Sequence, residues 1–324
     1  MMTDNEFNAK ILIAVGIFVV GFFGASAPLK IRKVDENWFS VGNLMASGIL
    51  LAAGIVHQLP DGMEKFESSS WSNFFPVAPF ITGLTFCLFL LLEEFVHMYF
   101  EGHPLISNHS HGMKETCAHD ENSNHLDKTE IDPLIIYQSN DKTHETHEGS
   151  EHETENFHGS LLASVILLFA LTIHSIFEGL AIGISSNTNE VISTTVPVLA
   201  HKGFAGYALG SSMVASGMNE SHYFVLAIIF SSSSAIGLIW GMMLEQRATL
   251  EDPAVADIRD GLIKTIVAGT FLYISIFEIG LKDLMVCRDA KSLTSKFEQN
   301  QMQWRKLAAF FLGYLAMSSL AAFI

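Results

Sequence analysis

The chain has 324 residues, of which 49% are hydrophobic and only 16% are charged. Soluble domains carry charge at about a quarter of their positions, so this composition excludes an ordinary soluble domain and predicts a polytopic membrane protein. The formal net charge is −16, most of the acidity lies in one segment, and the sequence has no basic patch of the kind that binds nucleic acid.

Eight apolar stretches reach the roughly 20 residues that a membrane-spanning helix needs. They predict an all-α bundle of eight transmembrane helices, with residues 1–100 and 161–324 forming one membrane domain around a cytoplasmic loop at 101–160. The predicted spans are 8–27, 41–59, 77–100, 161–184, 191–215, 223–244, 261–284 and 306–324.

The positions of lysine and arginine predict how the chain lies in the bilayer. Lys30, Arg32 and Lys33 follow the first span, a second basic loop follows the seventh, and the loop at 245–260 is mainly acidic. We therefore expect both termini outside the cytoplasm. The first span could also be a cleaved signal peptide, but acidic residues precede it and basic residues follow it, so we expect a retained helix.

Polar side chains at the ends of the second and third spans are candidates for a cation pathway. His57 and Asp61 lie one helical turn apart near the outer end of the second span, either as a cation entrance or as an interfacial polar turn. Glu93, Glu94 and His97 close the third span at the inner interface, either as an exit or as a solvated helix end.

The segment 101–160 is polar and acidic, and it holds nine of the fourteen histidines. It has too little apolar surface to offset the entropy of ordering, so we expect disorder. Histidine-rich tracts suggest weak metal binding. The composition fits both a cation-collecting loop and a plain polar linker, and the candidate loop ligands are His109, His111, His144 and His147.

The ionisable residues deepest in apolar sequence lie in the fourth and fifth spans. His174 and Glu178 are four positions apart in HSIFEGLAIG, so a helix places both on one face. His201 and Lys202 follow in VPVLAHKGFAGYALG. Ionisable groups at membrane depth are usually functional, and imidazole with carboxylate suits zinc and similar divalent cations. The alternative is that these groups only satisfy one another inside a helical bundle.

Three further features concern the packing of these spans. The G-x-x-x-G patterns beginning at Gly179, Gly206 and Gly237 let helices approach closely, which would bring spans four and five to one site. Pro197 is expected to kink the fifth span. Glu278 is a further carboxylate in the apolar seventh span, and Lys202 is its predicted partner.

These motifs resemble the ZIP (ZRT/IRT-like) family of divalent metal transporters. HSIFEGLAIG and HKGFAGYALG look like the family's fourth and fifth helices, and VHQLPD and AGTFLYISIFE are similar to its second and seventh. The resemblance covers the whole chain. It implies movement of Zn²⁺, or of Fe²⁺ or Mn²⁺, into the cytoplasm as a transported substrate, with no catalytic cofactor.

The resemblance also implies roles for individual residues. His174, Glu178 and His201 fall on metal-ligand positions, and Ser175 falls on a position that lines the site. Asp61 falls on the outer entrance. Glu278 falls on a position where the family has a carboxylate that contributes to a second metal site.

Two departures from the family pattern concern the number of metals. This chain has Lys202 where some members have an acidic residue, and Ala205 where they have another ligand. A protonated lysine repels a second cation, so we expect one metal, with Lys202 in the second cation's place and paired with Glu278 or Glu178. The HK form resembles the branch closest to plasma-membrane zinc uptake proteins, so that membrane is expected, with an intracellular organelle membrane as the alternative.

The resemblance suggests an elevator-like motion of helices one, four, five and six against the others. The partners expected are the metal ion and the lipid bilayer, with a homodimer as a candidate assembly.

Two rival functions are an intramembrane metal-dependent hydrolase, which would use a metal-bound water, and a metal sensor without transport.

Overall fold

The computed structural model describes residues 4–31, 36–68, 75–101, 149–185, 188–248, 252–284 and 296–322. Within these residues the chain forms eight long helical runs and no strand, which confirms the predicted all-α class. The helices are α1 (Asp4–Ile31), α2 (36–68), α3 (Val77–Glu101), α4 (Gly149–Ile184), α5 (Thr188–Ala215), α6 (Glu220–Ala248), α7 (253–284) and α8 (Lys296–Leu320).

Six of the eight helical runs, α1 to α4 with α6 and α7, are long and apolar enough to cross a membrane. Much of their apolar surface faces outward: only 11% of the apolar window of α3 is buried. Such a surface requires a lipid surrounding, so the chain is an integral membrane protein. The eight-span count and the orientation of the termini stay predictions.

Several helices extend beyond the predicted apolar spans. α4 begins at Gly149 rather than at 161, so the predicted disorder is wrong for residues 149–160. Once an apolar helix has formed, adding further residues is much easier than nucleating a helix, and glutamates are favourable near a helix N-terminus. Residues 102–148, with His109, His111, His144 and His147, lie outside the described residues.

Close backbone contacts join α1, α4, α5 and α6 into one group of helices, which we call the glycine bundle. A Cβ added at Gly24 of α1 would collide with the backbone of Gly203 in α5, and one at Gly179 of α4 would collide with the backbone of Ser234 in α6. Glycine therefore permits contacts that any larger residue would prevent. The ligands of α4 and α5 do come to one site, but not through glycine contacts between these two helices: the α4 glycines pack on α6 and the α5 glycines on α1.

The other four helices pack mainly with one another and form what we call the scaffold bundle. Gly48 of α2 lies against the backbone of Phe310 in α8, and Gly269 of α7 lies against Thr82 in α3. The two bundles meet where α7 packs on α4 and α2 packs on α5. Polar side chains of α4 and α5 lie at this junction.

Two helices of the scaffold bundle contain a π-helical segment. Ala53–Gln58 interrupts α2 and Ile274–Leu281 interrupts α7, while both helices continue on each side. π-Helical turns are rare and occur frequently at functional sites. These two segments carry His57 and Glu278, both singled out in the sequence.

Candidate metal site

His174, Glu178 and His201 form a buried cluster at the junction of the two bundles. One ligand atom from each lies within 4.8 Å of the others, and no other group of three such residues is this close in the described part of the chain. Glu178 Oε1 lies 2.5 Å from His201 Nε2 and 3.7 Å from His174 Nε2. The helical i, i+4 spacing aligns the two α4 ligands, and α5 supplies the third.

Each member of the cluster has a buried polar atom without a hydrogen-bond partner among the described residues. These atoms are His174 Nε2, Glu178 Oε2 and His201 Nδ1. Buried polar atoms are nearly always satisfied, so the orphans His174 Nε2 and Glu178 Oε2 indicate a missing ligand, whereas His201 faces the cluster with Nε2 and its Nδ1 points out of it. A divalent cation would satisfy imidazole nitrogen and carboxylate oxygen together.

Thr270 of α7 orients the first of these histidines. Its hydroxyl donates to the Val267 carbonyl at 2.7 Å and lies 2.9 Å from His174 Nδ1. Because the hydroxyl hydrogen is already used, Nδ1 must carry the hydrogen and donate to Thr270 Oγ1. His174 Nε2 is then left with a free lone pair toward Glu178, which is the tautomer that a metal ligand needs.

Phe271 covers the cluster from the side of α7. Its ring centroid lies 3.9 Å from that of His174 and 4.8 Å from that of His201, and the side chain is fully buried. An apolar wall next to the ligands excludes water and strengthens electrostatic interactions within the site. The AGTFLYISIFE motif contains both Thr270 and Phe271, but only the packing of α7 on α4 reveals their contacts.

Lys202 lies beside the cluster and extends toward α1 and α6 without contacting the three ligands directly. Its Nζ donates to Ser175 Oγ at 2.6 Å and to Ser234 Oγ at 2.7 Å, and lies 4.2 Å from the centre of the Phe230 ring. No described carboxylate lies within ion-pair distance of it, so Lys202 forms no direct salt bridge with Glu278 or Glu178, although the charge of Glu178 still acts on its ammonium.

Glu278 lies outside the cluster. Its carboxylate accepts from Lys282 at 2.6 Å and contacts the Tyr273 hydroxyl at 2.8 Å. The structure therefore does not bring Glu278 to His174, Glu178 and His201. Because the π-helical turn is wider than an α-helical one, it changes the face on which this carboxylate lies.

A polar cavity of about 410 Å³ lies beside the ends of α2, α5 and α7. It contains both predicted entrance residues, but in separate contacts: His57 Nε2 lies 3.0 Å from the Met317 carbonyl, and Asp61 pairs with Lys264 at 3.2 Å. Pro197, one turn before His201 on α5, also lines it. The cavity therefore approaches the cluster along α5.

The predicted exit residues lie at the far end of α3. Glu94 is exposed and His97 is half-buried, and neither belongs to the cluster. Along α7, Lys264 lines the cavity, Thr270 contacts the cluster and Glu278 lies beyond it. At about 1.5 Å per residue, α7 thus runs roughly 20 Å from the cavity past the cluster to Glu278.

Comparisons with known proteins identify relatives over nearly the whole chain. A model of the ZIP zinc transporter family matches residues 7–321. Zinc transporter ZIP3 of Bos taurus is 28% identical over 292 residues, covering 85% of this chain and 89% of that protein. Zinc transporter 7 of Arabidopsis thaliana is 26% identical over 280 residues, covering 83% and 74%. Fe(2+) transport protein 1 of Arabidopsis thaliana is 24% identical over 330 residues, covering 98% and 87%.

Proposed function

Since the chain belongs to the ZIP family, and is therefore a divalent metal transporter rather than an enzyme, we propose that it carries Zn²⁺ into the cytoplasm through His174, Glu178 and His201. The observation that supports this most is the convergence of three buried ligand atoms, with an unpartnered polar atom on each residue. Three protein ligands leave a coordination position open, which suits an ion that must also leave.

Zinc is the first candidate among the divalent cations. Two imidazoles and one carboxylate form a common zinc ligand set, and two of the relatives described above are zinc transporters. Fe²⁺ is the second candidate, because the ligand set also suits iron and a relative covering 98% of this chain is an Fe(2+) transport protein. Mn²⁺ is third on ligand chemistry alone.

We propose that the site holds one cation. The ammonium of Lys202 is fully buried, and it bonds to Ser175, the residue that follows His174. A fixed positive charge beside a three-ligand site disfavours a second divalent ion, because like charges repel strongly in a medium of low polarity. Lys202 thus acts as a tethered cation in the second position.

The proposed route starts at the cavity and runs along α5. A cation enters past His57 and Asp61, passes Pro197 and exchanges its water for the three ligands. It leaves toward Glu94, His97 and the histidine-rich loop on the cytoplasmic side. The direction follows from the distribution of lysine and arginine, which assigns the cavity to the outside. The plasma membrane is the proposed location, and a homodimer the proposed assembly to test.

The proposed motion is a displacement of the glycine bundle relative to the scaffold bundle. Tight backbone contacts hold α1, α4, α5 and α6 together, so they are suited to move as one body. Lys10 of α1 strengthens this bundle by donating to Glu245 of α6 at 2.7 Å and to the Gly183 carbonyl of α4 at 2.8 Å. His174, Glu178 and His201 would travel with it.

The test is ⁶⁵Zn uptake into liposomes that contain the purified protein. We expect Glu178→Ala and His174→Ala to abolish uptake above background, and Glu67→Ala, an exposed glutamate of α2, to retain it. Wild-type uptake by either site variant at equal incorporation would overturn the assignment. Wild-type protein that binds zinc without flux would favour the sensor, and competition by unlabelled Fe²⁺ and Mn²⁺ ranks the metals.

A further inference from the structure

A lysine side chain is fixed in the wall of the entrance cavity. Lys264 of α7 lines this cavity, and its side chain is only 9% exposed. Its Nζ lies 3.2 Å from Oδ2 of Asp61 on α2, which is its one ion pair within the described residues. Asp61 is 47% exposed and lines the same cavity. A cation that reaches Asp61 therefore meets a carboxylate that already has a partner.

Close packing of α2 on α7 sets the position of both charges. A Cβ added at Gly62 would lie 2.7 Å from Thr265 Cγ2 and 3.4 Å from the Thr265 backbone nitrogen, so glycine permits this approach. The hydroxyl of Thr82 in α3 donates to the Thr265 carbonyl at 3.2 Å and holds α7 from another side. Asp61 precedes Gly62 and Lys264 precedes Thr265, so the ammonium is tethered at the carboxylate.

The stability of the fold does not account for a lysine at this position. Removing most of an ammonium side chain from water has a desolvation cost, and a carboxylate partner that is itself half exposed offsets little of it. An apolar side chain of similar length would fill the same wall without that cost. The charge of Lys264 therefore needs a functional explanation.

The charges that line the cavity nearly cancel one another. Three acidic and two basic side chains line it, namely Asp61, Glu64, Glu190, Lys65 and Lys264. With histidine neutral their net charge is −1, and without Lys264 it would be −2. Lys65 pairs with Glu190 at 3.0 Å, much as Lys264 pairs with Asp61. Two of the three carboxylates are thus occupied by lysines before any metal arrives.

Unoccupied carboxylates in such a cavity would favour the wrong cations. Ca²⁺ and Mg²⁺ bind oxygen ligands, and they are far more abundant outside cells than free Zn²⁺. Zn²⁺ gains imidazole ligands at His174 and His201, which these hard cations do not favour. Low affinity at the entrance therefore disfavours Ca²⁺ and Mg²⁺ more than Zn²⁺, and it also lets a bound ion move on.

We infer that Lys264 is a specificity-determining residue, whose ammonium on Asp61 keeps Ca²⁺ and Mg²⁺ from occupying the entrance. It acts through Asp61 and need not contact the transported ion. Both residues belong to the scaffold bundle, so a displacement of the glycine bundle can leave the pair intact. The inference rests on the proposed function in one respect, because it takes the cavity as the entrance for the metal.

The first experiment measures ⁴⁵Ca²⁺ binding to the full-length purified protein by equilibrium dialysis. We expect Lys264→Met to bind calcium about tenfold more tightly than the wild type, because an ammonium and a divalent ion a few ångströms apart in a solvated cavity repel each other by about that much. Adding Asp61→Asn to Lys264→Met should abolish the gain. Lys264→Arg keeps the charge, and Arg259→Gln removes a charge of α7 outside the cavity, so both should bind calcium like the wild type.

The second experiment measures ⁶⁵Zn uptake into liposomes at rising external calcium. Calcium should inhibit Lys264→Met at a concentration about tenfold lower than it needs for the wild type. It should do so by raising the KM for zinc while the maximal rate stays the same, because the two cations compete for the entrance. A general loss of structure would lower the maximal rate instead.

The calcium affinities decide the role of Lys264. Equal affinity of Lys264→Met and the wild type overturns the inference, and so does a gain that survives Asp61→Asn or that also appears in Arg259→Gln. Equal inhibition of zinc uptake by calcium in Lys264→Met and the wild type overturns it as well. If Lys264→Met does not fold, Lys264→Gln decides in its place. A wild type without zinc uptake would count against the proposed function, and the calcium-binding comparison would still decide the inference.

Discussion

At His174, the hydroxyl of Thr270 determines which ring nitrogen faces the metal cluster. The hydroxyl has donated its hydrogen to the Val267 carbonyl, so it accepts from His174 Nδ1 and leaves Nε2 free. Such contacts behind a metal ligand fix its tautomer and its orientation. Thr270 is therefore a positioning residue, which acts on the ion only through His174.

The first prediction removes this hydroxyl. Thr270→Val keeps the side-chain shape but leaves His174 free to take the other tautomer, so we expect zinc affinity to fall about 10- to 100-fold. Thr270→Ser retains the hydroxyl and should stay close to the wild type. The dissociation constant, measured by competition with a metal indicator, checks this. Equal affinities of the valine and serine variants would exclude the positioning role.

The second prediction concerns Lys202 and the number of bound ions. Lys202→Glu replaces the buried ammonium by a carboxylate next to His201, so a second cation can take the place of the lost positive charge. We expect the zinc content of the purified protein to rise from one to two per chain. Lys202→Met, which removes the charge without adding a ligand, should stay at one. Elemental analysis measures both, and two zinc ions in the wild type would contradict the role of Lys202.

At the scale of helices, the structure separates what a sequence pattern can predict from what it cannot. The i, i+4 spacing of His174 and Glu178 predicts a shared face because it depends only on helix geometry. The glycine patterns predicted close contacts but not the partner, because a small face does not specify which helix covers it. For Lys202 and Glu278, opposite charge predicted a pair, but the two side chains point in different directions.

The π-helical segment of α7 explains why the sequence did not predict the helix face on which Glu278 lies. Along a regular helix, the face of Glu278 can be counted from Thr270 at 3.6 residues per turn. Ile274–Leu281 adds a wider turn between them, so the count no longer gives the right face. Nothing in ISIFEIGL distinguishes it from an ordinary apolar helix, and the contact between Glu278 and Tyr273 could therefore not be predicted from the sequence.

The third prediction tests the glycine contact between α1 and α5. Gly24→Ala puts a methyl group into the backbone of Gly203, whereas Gly16→Ala, on the same helix, meets nothing within 4 Å. Overpacking of this kind costs about 1–3 kcal/mol, so Gly24→Ala should lower the melting temperature of the purified protein. Gly16→Ala should not. Equal melting temperatures of the two variants would mean that α1 and α5 separate easily, and this would contradict a rigid glycine bundle.

For the whole molecule, the ion pair between Lys65 of α2 and Glu190 of α5 joins the two bundles at the cavity, with an N–O distance of 3.0 Å. Lys65 also lies 3.5 Å from Asp257 of α7, which belongs to its own bundle. A displacement of the glycine bundle must separate the first pair and can leave the second intact. These two contacts of one lysine therefore report directly on the proposed motion.

The fourth prediction compares the Lys65–Glu190 contact, which joins the two bundles, with the Lys65–Asp257 contact, which lies within one bundle. A short thiol-reactive cross-linker should stop zinc uptake in Lys65→Cys, Glu190→Cys and leave it unchanged in Lys65→Cys, Asp257→Cys, each compared with the same variant before cross-linking. Both experiments require a background without Cys87, Cys117 and Cys287. Uptake that continues through the cross-linked α2–α5 pair would exclude a relative displacement of the two bundles.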